Sequence, residues 1–137
     1  MTVARIAEVE FGAELPSFDP DTSIENVRRF AKAAGMMAAR FTDHEGARKE
    51  GLPGAMVPGV MSQAMLVAMI HRWAPEVELL EIDTVFRAVV LADAAHHVRG
   101  VVTDLDHEAR TAEIDLTIAN DAGETRVLGT ARVRFPA

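Results

Sequence analysis

A chain of 137 residues that is 49% hydrophobic and 26% charged is sized and composed for a single domain, 1–137, around one buried core. Its formal net charge of −7, with six Phe, one Trp and no Tyr, offers no basic, aromatic-studded surface, so nucleic acid is not an expected partner. Cysteine is absent, which removes disulfides, thiolate nucleophiles and Cys-based metal sites and suits a reducing cytoplasm. No apolar run approaches the ~18 residues of a membrane span and "MTVARIAEVEFG" has no leader pattern, so the expectation is a cytoplasmic protein without membrane contact.

In chain order, a short strand is expected over Ala4 to Phe11, followed by a loop through Pro16 and Pro20. "DTSIENVRRFAKAAG" then reads as a helix. Thr22 or Ser23 supplies the N-cap oxygen, Ile24, Val27, Phe30 and Ala31 form one apolar stripe, and Gly35 ends it. The charged stretch "DHEGARKEG" reads as a short helix entered at Asp43. A longer helix follows over about 59–73, and its apolar residues leave almost no continuous polar face. The sequence therefore predicts a core helix enclosed on nearly all sides and stopped by Pro75.

From Leu79 onward the period becomes two. Strands are expected over Glu81 to Leu91, His96 to Thr103, Glu113 to Asn120 and Thr125 to Phe135. Ile114, Leu116 and Ile118 alternate with polar residues, as do Val127, Ala131, Val133 and Phe135, so each of these strands has one wet face. "NDAGE", with Gly123 as the positive-φ residue, and Asp104 to Arg110 supply the turns of an antiparallel meander. One helix wrapped by a curved antiparallel sheet is an α+β class, the hot-dog architecture in outline.

The order of elements and the segments "FGAELP", "DHEGARKEGLPGAMVPGVMSQAML" and "VFRAVVLAD…VRGVVTDLD" resemble the MaoC-like hydratase/dehydratase family over nearly the whole chain. The resemblance implies (R)-specific enoyl-CoA hydratase or dehydratase chemistry on acyl thioesters of coenzyme A or acyl carrier protein. It also implies dimers with a continuous sheet, homomeric or with another hot-dog subunit. No cofactor beyond the coenzyme A of the substrate, and no metal, is implied. Aligning Ala47, Gly51 and Leu52, with Gly59 opening the central helix, settles what stands at the family's chemical positions. The family's His is Phe41, its Asp is Met36 and its loop Asp or His is Pro58. Met and Phe can neither activate water nor deliver a proton. The amides of Gly59 and Val60, at a helix N-terminus, keep the carbonyl-polarising element. Met36, Phe41, Pro58, Gly59 and Val60 are thus the expected substrate-binding residues, with the usual catalytic pair missing.

Asp43 and His44 are the remaining candidates for relocated acid/base groups, against the simpler reading that they cap and decorate a short helix. His96 and His97, adjacent on a strand, point to opposite faces and cannot chelate one metal together. His71 is expected where the central helix emerges to solvent. The methionines are either plain core, especially Met65 and Met69, or the lining of an adaptable acyl pocket. Arg48 and Lys49 are candidates for coenzyme A phosphates or simply a solvated face, and Ser62 has no nucleophile-elbow context. Three functions stay open: a catalytically degenerate acyl-thioester-binding protein or non-catalytic hydratase subunit, an active enzyme using Asp43 or His44, and a structural or ligand-sensing subunit without a thioester.

Overall fold

A computed structural model describes residues 2–137. Helix α1, Ile24–Ala34, starts at Ser23, whose hydroxyl accepts from the Asn26 amide, and ends at Gly35 with φ 71°. Both ends follow the residue chemistry: an N-cap oxygen meets an orphan amide, and a glycine takes the left-handed turn. Helices α2, Ala39–Thr42, and α3, His44–Lys49, are short. The Asp43 carboxylate caps α3 by accepting from the Gly46 amide. Helix α4 spans Gly59–Trp73.

The four strands, β1 Glu78–Phe86, β2 His96–Asp106, β3 Thr111–Asn120 and β4 Thr125–Arg134, are antiparallel in the order β1-β4-β3-β2. Register places Val102, Ile114, Ala131 and Ile82 in one row and Val98, Ile118 and Val127 in another, with Gly100, Leu116 and Gly129 between them. Because side chains alternate across a strand, these rows share one face, and α4 packs on it. The packing is close at Gly100, where an added Cβ would stand 2.9 Å from the Met69 Cε. Met61, Met65, Leu66, Met69, Ile70 and Trp73 of α4 are buried in the core cluster, each contributing about 1.5–3 kcal/mol of transfer free energy. The Trp73 ring meets Phe135 edge-on, with centroids 5.7 Å apart. The opposite face is wet and carries the ion pairs Arg134–Glu78 at 2.9 Å and Arg132–Glu81 at 3.5 Å.

Three expectations are corrected. Residues 4–11 form no strand; Ile6–Glu8 is a single 3₁₀ turn, and the pairing occurs further on, where Leu15 donates to the Gly100 carbonyl and Phe18 and Val98 exchange amides. The segment with Pro16, expected as loop, thus runs along the outer edge of β2; Pro16 is tolerated because an edge position needs no second set of donors. The strand expected over Glu81 to Leu91 is β1, which ends at Phe86; Leu91 instead bridges to Met56. Finally, α4 is not enclosed on all sides: Val60, Ala64, Ala68 and Arg72 form an exposed stripe at four-residue spacing, with Val60 55% exposed. The single chain does not supply the cover that the apolar sequence demands.

Candidate functional site

The start of α4 faces a cavity of about 250 Å³ lined by Met56, Val57, Gly59, Ser62, Phe86, Ala88, Val89 and Val90. Hydrogen bonds from two sides build its walls. Val57 donates to the Val90 carbonyl at 2.7 Å, joining the segment before α4 to the segment after β1. Arg126 of β4 holds that second segment from behind: its guanidinium donates to the Val89 carbonyl at 2.9 Å, and its own carbonyl accepts from Arg87 and Ala88. The Phe86 ring lies against Gly59 so closely that an added Cβ would stand 3.1 Å from its ζ carbon.

Pro58 is the N-cap and brings no capping side chain. The Met61 and Ser62 amides donate to the Pro58 carbonyl, which leaves the Gly59 and Val60 amides without an intrahelical acceptor at the electropositive end of the helix, beside the cavity. Among the lining side chains only Ser62 is protic; the rest are apolar, and none is a carboxylate, imidazole or amine. The cavity can polarise a neutral oxygen acceptor and house an apolar substituent. It offers no group of its own to move a proton.

Of the residues expected at the site, Gly59 lines this cavity. Pro58 is buried as the N-cap, and Val60 points outward. Met36, just past the end of α1, and Phe41, on α2, are half-buried in the overhanging helices and are not among the lining residues. Met56 lines the cavity, Met61 and Met65 line a separate groove of about 500 Å³ between α1 and α4, and Met69 is fully buried in the core. In that groove the Arg72 guanidinium sits 4.3 Å from the centroid of Phe18.

His44 is fixed at both ring nitrogens. Nδ1 accepts from the Ala55 amide at 3.0 Å, so the proton lies on Nε2, 2.8 Å from the Asp93 carboxylate. Asp93 in turn accepts from the Ile24 amide at the start of α1, and these two hydrogen bonds, that to His44 first, hold its carboxyl below the usual range. With both nitrogens engaged, His44 ties α3, α1 and the loop after β1 together. Asp43 is an exposed cap.

The adjacent histidines diverge as the alternation requires. His96 is buried with Nδ1 2.9 Å from the Ala94 carbonyl, and burial lowers its pKa. His97 is gripped by Asp19 at 2.7 Å and Asp121 at 3.1 Å, both of which raise its pKa. His71 is half-buried, near the Val77 carbonyl. Arg48 donates to the Pro53 carbonyl, and it and Lys49 are exposed. No group of three or more His, Asp or Glu suited to a metal occurs among the described residues, and no helix among them is long and apolar enough to cross a membrane. Asp93 and Phe86 were not singled out in the sequence; they reach their partners His44 and Gly59 across 49 and 27 positions, and no spacing signals that.

No family profile and no curated protein matches the chain. Among solved structures it is similar to the (R)-hydratase from A. caviae involved in PHA biosynthesis, at 18% identity over 94% of this chain and 98% of that one, with a TM-score of 0.88. It is similar to the R-hydratase PhaJ1 from Pseudomonas aeruginosa at 20% identity over 97% and 86%, with a TM-score of 0.89. A chain of the ChsH1-ChsH2 complex from Mycobacterium tuberculosis matches at 18% identity over 99% and 100%, with a TM-score of 0.83. At such identities the likeness shows the fold. The chain is an α+β hot-dog protein, as its sequence pattern predicts.

Proposed function

We propose that this protein binds an acyl thioester, with the thioester carbonyl at the Gly59 amide and the acyl group in the apolar cavity beside it, and that it does not itself catalyse hydration or dehydration. One observation carries the reading: a helix N-terminus with free amides opens onto a cavity whose lining contains no acid or base. Hydration of an enoyl thioester needs a group to activate water and another to protonate Cα. Met36, Phe41 and Pro58 stand at the positions where the resemblance puts such groups. His44, the nearest imidazole in sequence, has both nitrogens engaged.

The partner is a second hot-dog subunit, either another copy or a subunit that retains the acid/base pair. Support comes from the apolar surface left open around Val60, Ala64, Ala68 and Val85 and from the complex among the similar structures. Coenzyme A enters as part of the ligand rather than as a resident cofactor, and the cytoplasm is the compartment where such thioesters are expected.

Titration calorimetry of the purified protein with butyryl-CoA tests binding, and a turnover assay with crotonyl-CoA tests catalysis. Saturable binding without turnover is the expected result. Turnover by the wild-type protein that disappears in Asp43→Ala or His44→Ala would establish the relocated-enzyme reading instead. Absence of any binding would favour a structural subunit.

A further inference from the structure

The Ser62 hydroxyl is the only buried side-chain polar atom without a hydrogen-bond partner among the described residues, and the residue is 1% exposed. A buried helical serine ordinarily donates to the carbonyl four residues back. Here that carbonyl is Pro58, and it already accepts from the Met61 and Ser62 amides, each at 3.0 Å. A carbonyl oxygen has two lone pairs, so both of those on Pro58 are taken. No other acceptor lies within hydrogen-bond distance of the hydroxyl.

Side chains on a helix tilt toward its N-terminus. Ser62, one turn into α4, therefore leans back toward Pro58 and Gly59, and it lines the same cavity as Gly59 and Phe86. Leaving a buried donor unmade costs stability, so the position carries an expense that an alanine would not. An acceptor that arrives from outside removes it.

We infer that Ser62 is a second hydrogen-bond donor to the bound carbonyl oxygen, acting beside the α4 N-terminal amides to hold a neutral acyl group in the cavity. A neutral acyl oxygen is the ligand chemistry that fits, because a carboxylate or an amine would meet no countercharge among the lining residues. At about 250 Å³ the cavity lies below the ~300–1,000 Å³ typical of pockets that enclose drug-sized ligands, which selects a short acyl group. The hydroxyl is covered in this structure, and a turn about the single χ1 bond of serine, with the half-exposed Phe86 ring giving way, brings it to the ligand.

The inference rests on the acyl-thioester reading, and the test separates the two. Wild-type protein and Ser62→Ala are titrated with butyryl-CoA, melted without ligand, and examined by difference infrared spectroscopy with the thioester carbonyl labelled with ¹³C. The expected result is a three-part pattern. Ser62→Ala binds about five- to tenfold more weakly, its carbonyl stretch moves to higher frequency than in the wild-type complex, and its ligand-free melting temperature equals or exceeds that of wild type. A merely structural serine would lower the melting temperature and leave the carbonyl frequency unchanged. Equal affinity and equal frequency in the two proteins would overturn the role of Ser62 while leaving the thioester reading intact. If the wild type binds no butyryl-CoA, the thioester reading falls and the inference with it.

Discussion

Gly59→Ala places a methyl group at the point where the first turn of α4 meets the Phe86 ring. Two terms of opposite sign follow. Gly59 does not hold a left-handed φ, so the substitution restricts the unfolded chain without straining the folded backbone, a gain of about 0.4–1 kcal/mol. Against this, the new Cβ would lie 3.1 Å from one ring atom and 3.3 Å from two others, so the ring must move. Phe86 is 52% exposed, and only about half of the ~1.5–3 kcal/mol of a fully buried aromatic is at stake. The loss is about 1 kcal/mol, and the two terms cancel to within roughly 1 kcal/mol. Urea denaturation should therefore find a folded protein of near wild-type stability. Binding should not survive equally well: the methyl occupies the approach to the α4 amides, and loss of one carbonyl hydrogen bond alone weakens butyryl-CoA about tenfold. Wild-type affinity in Gly59→Ala would refute the placement of the carbonyl. A destabilisation above about 2 kcal/mol would refute the mobility assigned to Phe86.

Other outcomes follow from the geometry. His44→Ala leaves the Ala55 amide without its acceptor and removes one of the two donors to Asp93, and should cost about 1–3 kcal/mol in urea melts; a selective loss of activity without loss of stability would contradict the structural role given to His44. Gly100→Ala drives a methyl to 2.9 Å from Met69 and 3.3 Å from Leu15 and Leu116, an overpacking expected to cost about 1–3 kcal/mol, and a stability equal to wild type would mean that the sheet and α4 are looser than described. His97, with its pKa raised by Asp19 and then Asp121, adds stability that is fully present below its unfolded value of 6.5 and is lost as pH rises through the folded value. His97→Gln should therefore lower the melting temperature more at about pH 5.5 than at about pH 8.5; an equal deficit at both would discount the ion pairs. His96, lowered by burial, acts in the opposite sense, contributing stability above 6.5 that fades as pH falls.

The parts of the fold governed by short-range chemistry are legible in the sequence. The Ser23 cap, the Gly35 terminator, the Asp43 cap and the Gly123 turn each depend on a residue within four positions of its partner, and the strand alternation of β3 and β4 reflects burial on one side. Residues 12–18 carry no strand signal because an edge segment beside β2 needs no alternation of its own: its pairing is with β2 residues 80 or more positions away. The enclosure of α4 is less complete than its apolar sequence implies, because Val60, Ala64, Ala68 and Arg72 stay exposed. At the site, the position of Gly59 could be read from the helix start. The orphaned Ser62 hydroxyl could not, since it arises from two amides competing for one carbonyl. The sequence leaves both a catalytic and a structural His44 open because its acceptor, Asp93, lies 49 residues on.

The pairing of residues 12–18 with β2 also bears on the order in which the chain is put together. This segment precedes β2 in the chain, yet Leu15 cannot find the Gly100 carbonyl until β2 exists. Closing a loop of that length carries an entropic cost that only the completed sheet can offset. Residues 12–18 are thus placed only once β2 is formed, and until they dock the edge of β2 is a template that any other extended chain can copy.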